Sequence, residues 1–334
     1  MKKDNKNQIM KLANNKRYEF DITVNGDTYA GVHSLPYVTA ALRSPDTVAK
    51  GYVRTIDGLT KSAVINNIAS SNPIVAAACG FTSGNTTSTS EQVLSLTDLK
   101  VNEEICRGTI FPTWMGQGMD RNGNLPNEFS DFLLKVVAGK AAAQLEIGIW
   151  QGAAPFGVGF LSNDGTQDEA GADASALKDF SEVDYAAVTK SNVLGHMEKV
   201  YDSVAANHSG ILTKAGAGFY MNNQTYGFYI QALATAGSNQ GQVSGAGFNL
   251  DGDNMTFFGF PIYRCPGIFN DVIVFTYPEN LVFGTNLATD WTEARLIPTY
   301  EYDGSDNVRV TMNFAVGVQV AVATDGVYGS TVWT

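Results

Sequence analysis

Three histidines, His33, His196 and His208, are the side chains whose ordinary pKa best suits acid–base chemistry near neutral pH. A Ser/His/Asp or Cys/His catalytic group needs one of them within reach of its nucleophile. His196 falls on a predicted helix and His208 just beyond its end, where structural or solvated histidines are usual. We therefore predict no catalytic residue and expect that the chain is not an enzyme, although a spatial pair of carboxylates for glycoside hydrolysis would be invisible in a sequence.

The three cysteines, Cys79, Cys106 and Cys265, are odd in number and far apart. None belongs to a C-x-x-C pair or has a histidine close by in sequence, so neither a disulfide framework nor a zinc site is predicted. We expect reduced thiols, as in a cytosol.

Two acidic stretches could supply oxygen ligands for a cation. Residues 163–184 are acidic and rich in Ala, Gly and Ser, but their spacing does not match an EF-hand. In residues 250–256, Asp251 and Asp253 could bind an ion, although a polar turn before a strand also explains them. We favour the structural reading of both stretches and predict no metal site.

Nucleotide binding has no support in the sequence. Gly216 and Gly218 resemble part of a phosphate-binding loop, but the third glycine and the following helix are missing, and no G-x-x-x-x-G-K-[ST] motif occurs. No cofactor is therefore predicted.

The composition predicts a folded chain whose surface is largely covered by something else. The 334 residues are 44% hydrophobic and only 16% charged, and 34 glycines with 11% aromatic residues favour a β-rich body with many turns. A formal charge of −11 argues against a protein that reads nucleic acid sequence. Lys and Arg are nevertheless concentrated in residues 1–17, which fit either a solvated tail or a functional arm.

Apolar runs are too short for export or membrane insertion. No apolar segment follows the basic start, and no run of 18 or more apolar residues occurs. We expect neither a secretory signal nor a membrane span.

The first third of the chain is predicted to be extended. Gly and Pro residues interrupt residues 18–60 and indicate an arm. Two strand-like runs, Ala63–Ile68 and Gln92–Cys106, then flank the Ser/Thr/Asn/Gly-rich stretch Thr82–Ser90. This pattern predicts a thin two-stranded excursion with a flexible tip.

Residues 127–150 have the apolar spacing of a long amphipathic helix, with Asn127 as N-cap. At 1.5 Å per residue the helix would extend about 35 Å. Its predicted apolar face comprises Phe129, Phe132, Leu133, Val136, Val137, Ala141 and Leu145. We expect this face to pack on the C-terminal strand, so that Val136→Asp would give insoluble protein whereas Lys135→Asp would stay soluble.

Short helices and strands alternate in the second half of the chain. The predicted elements are a helix over 189–206, a strand at Gly218–Met221, a helix capped by Asn222 or Asn223 that stops at Gly237, and strands around Phe257–Tyr263 and Val272–Tyr277. This order predicts a compact α/β unit.

The C-terminal part contains the clearest pattern. From Val308 to Val322 every even position is apolar, which predicts a long antiparallel strand with one buried face. Its predicted hairpin partner is Arg295–Tyr302, with the turn at Asp303 and Gly304.

The order of these elements resembles the HK97-like major capsid proteins of tailed double-stranded DNA bacteriophages. Residues 127–161 are similar to the spine helix of that family and its glycine-rich turn, and Tyr220–Tyr226 to its strand-to-helix step. Gly259–Ile262 resembles the family's G.PV strand, and Asn280–Thr285 with Val308–Val322 resembles the return into the peripheral domain. The likeness covers most of the chain from residue 47 onward and is nearest to capsids of phages that infect Bacteroidetes-type hosts.

The resemblance implies an α+β fold of the HK97-like capsid type, with axial and peripheral domains, an extended E-loop hairpin and an N-terminal arm. The implied division is an N-terminal arm (1–46), an E-loop region (47–106), a peripheral domain with the spine helix 127–150 (107–162), an axial domain (163–290) and a return to the peripheral domain with the long C-terminal strand (291–334).

The resemblance also implies a structural function. Copies of the chain would self-assemble as hexamers and pentamers into the icosahedral shell of a virion, made in the host cytoplasm. Portal, decoration and scaffolding proteins are the implied partners, and contact with packaged DNA would be loose, non-specific and through the basic arm, without a membrane partner. An encapsulin-type nanocompartment shell of the same fold is the alternative, and a carbohydrate-active or adhesive β-rich protein is a more distant one.

Two details of assembly follow from the family. Its arms cross to neighbouring subunits, where Ile22, Val24 and Tyr29 could add strand pairing. Some members also join an E-loop lysine covalently to an asparagine of a neighbour. Here Lys61 lies near the base of the loop, but Thr82–Ser90 contains no lysine, so a non-covalent shell is expected.

Overall fold

The computed structural model describes residues 28–30, 45–70, 79, 87–106, 127–152, 154–161, 177, 180–240, 255–286, 293–299, 302, 304–305, 307–322 and 324–330. The helices are α1 (Asp46–Ala49), α2 (Asn127–Gln151), α3 (Val193–Asn207) and α4 (Asn223–Gln240), with short 3-10 helices at Ser209–Thr213 and Pro278–Asn280. The strands are β1 (Thr28–Ala30), β2 (Arg54–Ile56), β3 (Ser62–Ser70), β4 (Thr87–Ser95), β5 (Thr97–Cys106), β6 (Ser181–Asp184), β7 (Gly218–Met221), β8 (Thr256–Phe257), β9 (Phe260–Arg264), β10 (Ile273–Thr276), β11 (Leu281–Thr285), β12 (Glu293–Pro298), β13 (Asn307–Val320) and β14 (Val327–Ser330).

The long strand β13 organises the first sheet, in which the order is β1-β12-β13-β11-β2 and β5 also pairs with β13. Even-numbered residues from Val308 to Val316 are buried, because alternate side chains of a strand point to the same face. The predicted alternation is therefore confirmed, although the strand ends at Val320. The predicted hairpin is confirmed too, with Pro298 opposite Val308 and Glu293 opposite Asn313.

Helix α2 packs on this sheet, as predicted. Leu133, Val137 and Leu145 belong to the same hydrophobic core as Val310 and Met312 of β13. Residues 137 and 310 are 173 positions apart in sequence (310 − 137), so this core closes only when distant parts of the chain meet.

The predicted apolar face of α2 was placed wrongly at one position. The side chain of Val136 is 42% exposed, whereas that of Val137 is 1% exposed. The buried face includes small residues, Ala138 and Ala142, which allow close packing and which a search for large apolar residues passes over. Phe129 and Phe132 have side chains outside the described part of the structure.

The second sheet has the order β6-β14-β10-β7-β9-β8, and helices α3 and α4 pack on it around a core of its own. The predicted helix, strand and helix are confirmed. Helix α3 begins at Val193 because Asn192 holds the preceding turn: its side chain accepts a hydrogen bond from the Thr189 N–H at 2.6 Å and donates one to the Ala187 carbonyl at 2.9 Å. Helix α4 continues past Gly237 to Gln240.

The C-terminal half of the chain contributes strands to both sheets and connects them. Strand β11 precedes residue 291, yet it pairs with β13 in the first sheet. After β13, the chain returns to the second sheet, where β14 pairs with β10. The division into axial and peripheral domains stays a prediction, and its boundary at 290/291 lies between two strands of the first sheet.

The arm pairs with the body of its own chain. Strand β1 lies antiparallel to β12, with Tyr29 opposite Ala294. Tyr29 thus pairs within its own chain through one edge of β1. Its pairing across subunits stays a prediction, and Ile22 and Val24 lie outside the described residues.

The buried and exposed faces of α2 can be tested with a matched pair of substitutions at neighbouring positions. Val137→Asp would bury a carboxylate without a partner and cost several kcal/mol, a large part of the stability of a domain. Val136→Asp, one residue away, would place the same carboxylate in solvent and cost under about 1 kcal/mol. We expect Val137→Asp to be insoluble and Val136→Asp to be soluble with a thermal melting curve close to that of the wild type. Equal behaviour of the two variants would contradict the register of α2 described here.

Candidate assembly surface

The hairpin formed by β3 and β4 leaves the body of the protein as a two-stranded ribbon. Nine residue pairs join the strands, from Ser62 opposite Ser95 to Ser70 opposite Thr87. At about 3.3 Å per residue the paired part is roughly 30 Å long. The predicted excursion is confirmed, and residues 87–90 of the predicted tip are part of strand β4.

The second predicted run of this excursion is two strands. Leu96 separates β4 from β5, and its N–H donates a hydrogen bond to the Lys61 carbonyl at 2.9 Å. Beyond this point the chain leaves β3, and β5 pairs with β13 over ten residues. A single apolar pattern from Gln92 to Cys106 hides the break because both strands have the same period of two.

The base of the hairpin is anchored to the first sheet. Leu94 is fully buried and packs against Gly284. A Cβ on residue 284 would lie only 2.5 Å from Leu94 Cδ2, so glycine at this position makes room for the leucine. Gln319 donates a side-chain hydrogen bond to the Val93 carbonyl at 3.2 Å, and the Leu59 N–H donates to the Thr285 carbonyl at 3.1 Å. The ribbon therefore emerges from a fixed point.

One face of the ribbon carries an exposed apolar stripe formed by Val64, Val93 and Ile68. Their side chains are 56%, 52% and 68% exposed, respectively. Val64 lies directly opposite Val93, and Ile68 is four residues further along the same face. An isolated two-stranded ribbon is marginally stable in water, and large β-branched side chains on its open face favour contact with another surface.

A second exposed apolar stripe runs along helix α2. Val136 and Ile147 are both exposed, and eleven residues of an α-helix bring them back to nearly the same side. Ala143 and Lys140 are exposed between them, and Lys140 forms an ion pair with Glu103 of β5 at 2.8 Å. The body of the protein thus presents an apolar surface as well as the ribbon.

The two described histidines do not form a catalytic group. His196 is buried and stacks on Tyr185 at 4.3 Å between ring centroids. Burial lowers the pKa of His196, and the positive charge of Lys199 lowers it further, so its neutral form is favoured. Its Nε2 atom has no hydrogen-bond partner within the described part of the chain. His33 lies outside that part.

A serine and a histidine do meet at the edge of the second sheet. Ser181 Oγ lies 2.7 Å from His208 Nε2, a contact that sequence reasoning missed because 27 residues separate the two. A triad needs a carboxylate that orients the imidazole through Nδ1, and no such hydrogen bond to His208 occurs among the described residues. The pair links β6 to the C-terminal end of α3.

The other candidate ligands are dispersed. Cys79 and Cys106 are exposed and Cys265 is buried, and no disulfide joins them. Within the described ranges, His, Cys, Asp and Glu side chains form no group that could hold a metal ion. Asp251 and Asp253 lie outside those ranges. The helices that are described include none with the length and apolar character needed to cross a bilayer.

Solved capsid structures share this architecture. A chain of the satellite phage P4 procapsid, solved with its size determination (Sid) protein, has 10% identity and a TM-score of 0.53, with 88% of this chain and 98% of that chain covered. A Gordonia phage Cozz structure has 14% identity and a TM-score of 0.53, with 86% and 87% covered. The chain has the HK97-like capsid fold.

A third similar structure is the capsid of an empty GTA particle. It has 16% identity and a TM-score of 0.50, with 88% of this chain and 90% of that chain covered. No protein-family model and no curated protein matches the sequence. The expected α+β capsid fold is therefore confirmed from structure, at identities where sequence comparison finds no relative.

The ribbon of the capsid fold can be tested with shape-conserving changes. In Val64→Thr/Ile68→Thr, β-branched residues are kept, so the strands should remain paired. Each change removes apolar contact worth on the order of 1 kcal/mol, so association through the ribbon should weaken more than about tenfold. Circular dichroism should show a wild-type fold, and sedimentation velocity should show loss of assemblies.

The matched control is Asn66→Thr, which lies on the same face between the two apolar residues. It adds no charge and removes no apolar surface, so it should assemble as the wild type does. If the control and the double variant assemble equally well, the apolar stripe is not an interface.

Proposed function

We propose that this chain is a major capsid protein, a structural subunit that self-assembles into the icosahedral shell of a tailed bacteriophage around double-stranded DNA. The observation that carries the proposal is the capsid fold, which extends over 88% of the chain in its match to the P4 procapsid. The exposed ribbon supports it, because a subunit that cannot cover its own apolar stripe is suited to assembly. The proposed role is structural and involves no reaction.

The two apolar stripes suggest how copies associate. The stripe of Val64, Val93 and Ile68 and that of Val136 and Ile147 lie on different elements of one chain. A contact between two different patches is heterologous, and such contacts form closed rings when the rotation between copies closes. Hexamers and pentamers built from one chain require contacts of this kind, with the hairpin as E-loop and α2 as spine helix.

The charge of the chain is compatible with a container for DNA. The chain has a formal net charge of −11, so its body would not hold the genome by many phosphate contacts. Packaged DNA would therefore be held loosely. The basic residues 1–17 are the proposed site of non-specific contact. Portal, scaffolding and decoration proteins are further proposed partners, and the proposed location is the virion capsid after assembly in the host cytoplasm. The host itself stays a prediction.

Microscopy tests the proposal directly. Negative-stain images of the purified full-length protein should show closed shells or capsomers, since the exposed stripes favour association. Particles from infected cells should contain nuclease-protected DNA, whereas the encapsulin alternative predicts an enclosed enzyme and no genome. A monodisperse monomer at high concentration would argue against both kinds of shell.

The chemistry of the hairpin predicts a non-covalent shell. Lysine is absent from Thr82–Ser90, and Lys61 lies beside the anchored base, where its carbonyl accepts the Leu96 N–H. Boiled particles should therefore run on a denaturing gel as one band at the chain mass of 35.8 kDa. A series of multimers that survives boiling and reducing agent would show that subunits are covalently joined.

A further inference from the structure

A buried carboxyl group, that of Glu146, lies at the meeting point of three distant segments. The side chain is 5% exposed and projects from helix α2. Its Oε2 atom accepts a hydrogen bond from the Thr47 N–H at 3.0 Å, and its Oε1 atom lies 2.5 Å from Thr47 Oγ1. The Gly267 N–H points at Oε1 from 3.4 Å. Residues 47, 146 and 267 are far apart in sequence, so the carboxyl group joins segments that no local structure holds together.

The surrounding contacts show that this is a built junction. The Trp150 indole N–H donates to Thr47 Oγ1 at 2.9 Å, and the Gln151 amide donates to the Gly267 carbonyl at 2.9 Å. A Cβ on Gly267 would collide with the backbone carbonyl of Glu146, so only glycine permits this approach. Helix α1, helix α2 and the turn at 265–268 are therefore fastened to one another around one ionisable group.

No positive charge balances the carboxyl group within the described part of the structure. From helix α1 the negative charge of Asp46 acts on it, and Asp46 pairs with Lys50 at 3.7 Å, both side chains being partly exposed. The turn contributes only the thiol of Cys265. Burial is the largest effect and raises the pKa of Glu146; hydrogen bonds from Thr47 and Gly267 lower it, and the negative charge of Asp46 raises it.

Both protonation states of the carboxyl group can satisfy the hydrogen bonds of the junction, but only the neutral state avoids a buried charge. The ionised Oε1 accepts from Thr47 Oγ1. When Oε1 carries the proton, this hydrogen bond reverses: Oε1 donates to Thr47 Oγ1, which also accepts from Trp150, and the Thr47 hydroxyl can donate to the Cys265 thiol beside it. Oε2 would still accept the Thr47 N–H. Every strong donor keeps an acceptor, and no unpaired charge is buried.

We propose that Glu146 carries a proton in the closed junction and that Glu146, Thr47 and Gly267 form a proton-operated latch, which fastens helix α1 to α2 and to the turn at 265–268. Opening of the latch exposes the carboxyl group to water, where it ionises. Closing therefore takes up a proton. This inference is independent of the proposed function.

The direction of the pH dependence follows from the raised pKa of Glu146. A group whose pKa is higher in the closed than in the open state contributes stability that is complete below the open-state pKa and is lost as pH rises through the closed-state pKa. The latch is thus tightest at low pH and loosens as pH rises through the raised pKa of Glu146.

Glu146→Gln tests the latch, since glutamine is uncharged at both pH values: its amide N–H can donate to Thr47 Oγ1 and its carbonyl can accept the Thr47 N–H, while the 3.4 Å contact from the Gly267 N–H is lost at any pH. We expect the melting temperature of the variant, relative to that of the wild type, to be about 2–4 °C higher near pH 8 than near pH 5. Glu198→Gln, an exposed position on α3, is the control for net charge and should show no such pH-dependent difference.

Two results would overturn the latch. A Glu146→Gln variant whose melting temperature differs from that of the wild type by the same amount at pH 5 and pH 8 would show that closing takes up no proton at position 146. Hydrogen exchange gives a readout that a purely structural role would not move. After correction for intrinsic rates, the segment from Asp46 to Val53 should lose protection between pH 5 and pH 8 in the wild type and keep it in Glu146→Gln. Equal protection profiles in the two proteins would contradict the proposal.

Discussion

The first sheet depends on one constraint, which is that strand β13 must find three partners from different parts of the chain. It pairs with β12 just before it, with β11 some thirty residues earlier and with β5 about two hundred residues earlier. Its buried face then receives α2. Because most of these contacts are non-local, loop-closure entropy must be lost before the core is gained, so the body is expected to fold as one cooperative unit and slowly.

The hairpin is a consequence of the same constraint. Strand β5 is committed to β13, so β4, which comes directly before it, can pair only with β3 on its way out of the sheet. Leu94 under Gly284 fixes where the ribbon departs, and the apolar side chains of its open face remain more than half exposed. A folded body with a fixed but uncovered projection is suited to the proposed association of copies in a shell.

The sequence predicted the features that follow from the spacing of apolar residues, and it missed those that depend on one particular contact between distant residues. The alternation from Val308 survives in the structure because burial on one face of a strand leaves a direct period of two. The face of α2 was misplaced at Val136 because Ala138, Ala142 and Gly148 are buried by close packing, and a Cβ on Gly148 would strike the ring of Phe156. The break at Leu96 left no signal, since hydrogen bonding to Lys61 decides it. Thr47 and Glu146 are 99 residues apart, and a lone Glu on a helix normally indicates a solvated position.

The buried polar junction and the hairpin are connected through a short stretch of chain. Helix α1 is held at Thr47 by Glu146 and Trp150, and β2 follows within seven residues and lies parallel to β11. Leu59 then bonds to Thr285, and strand β3 begins at Ser62. An apolar residue at 146 could pack as densely as glutamate, but it would leave the Thr47 N–H without its partner and would not select one position for α1. The polar junction therefore selects one position for helix α1. Helix α1 lies at the upstream end of the segment that leads into the hairpin.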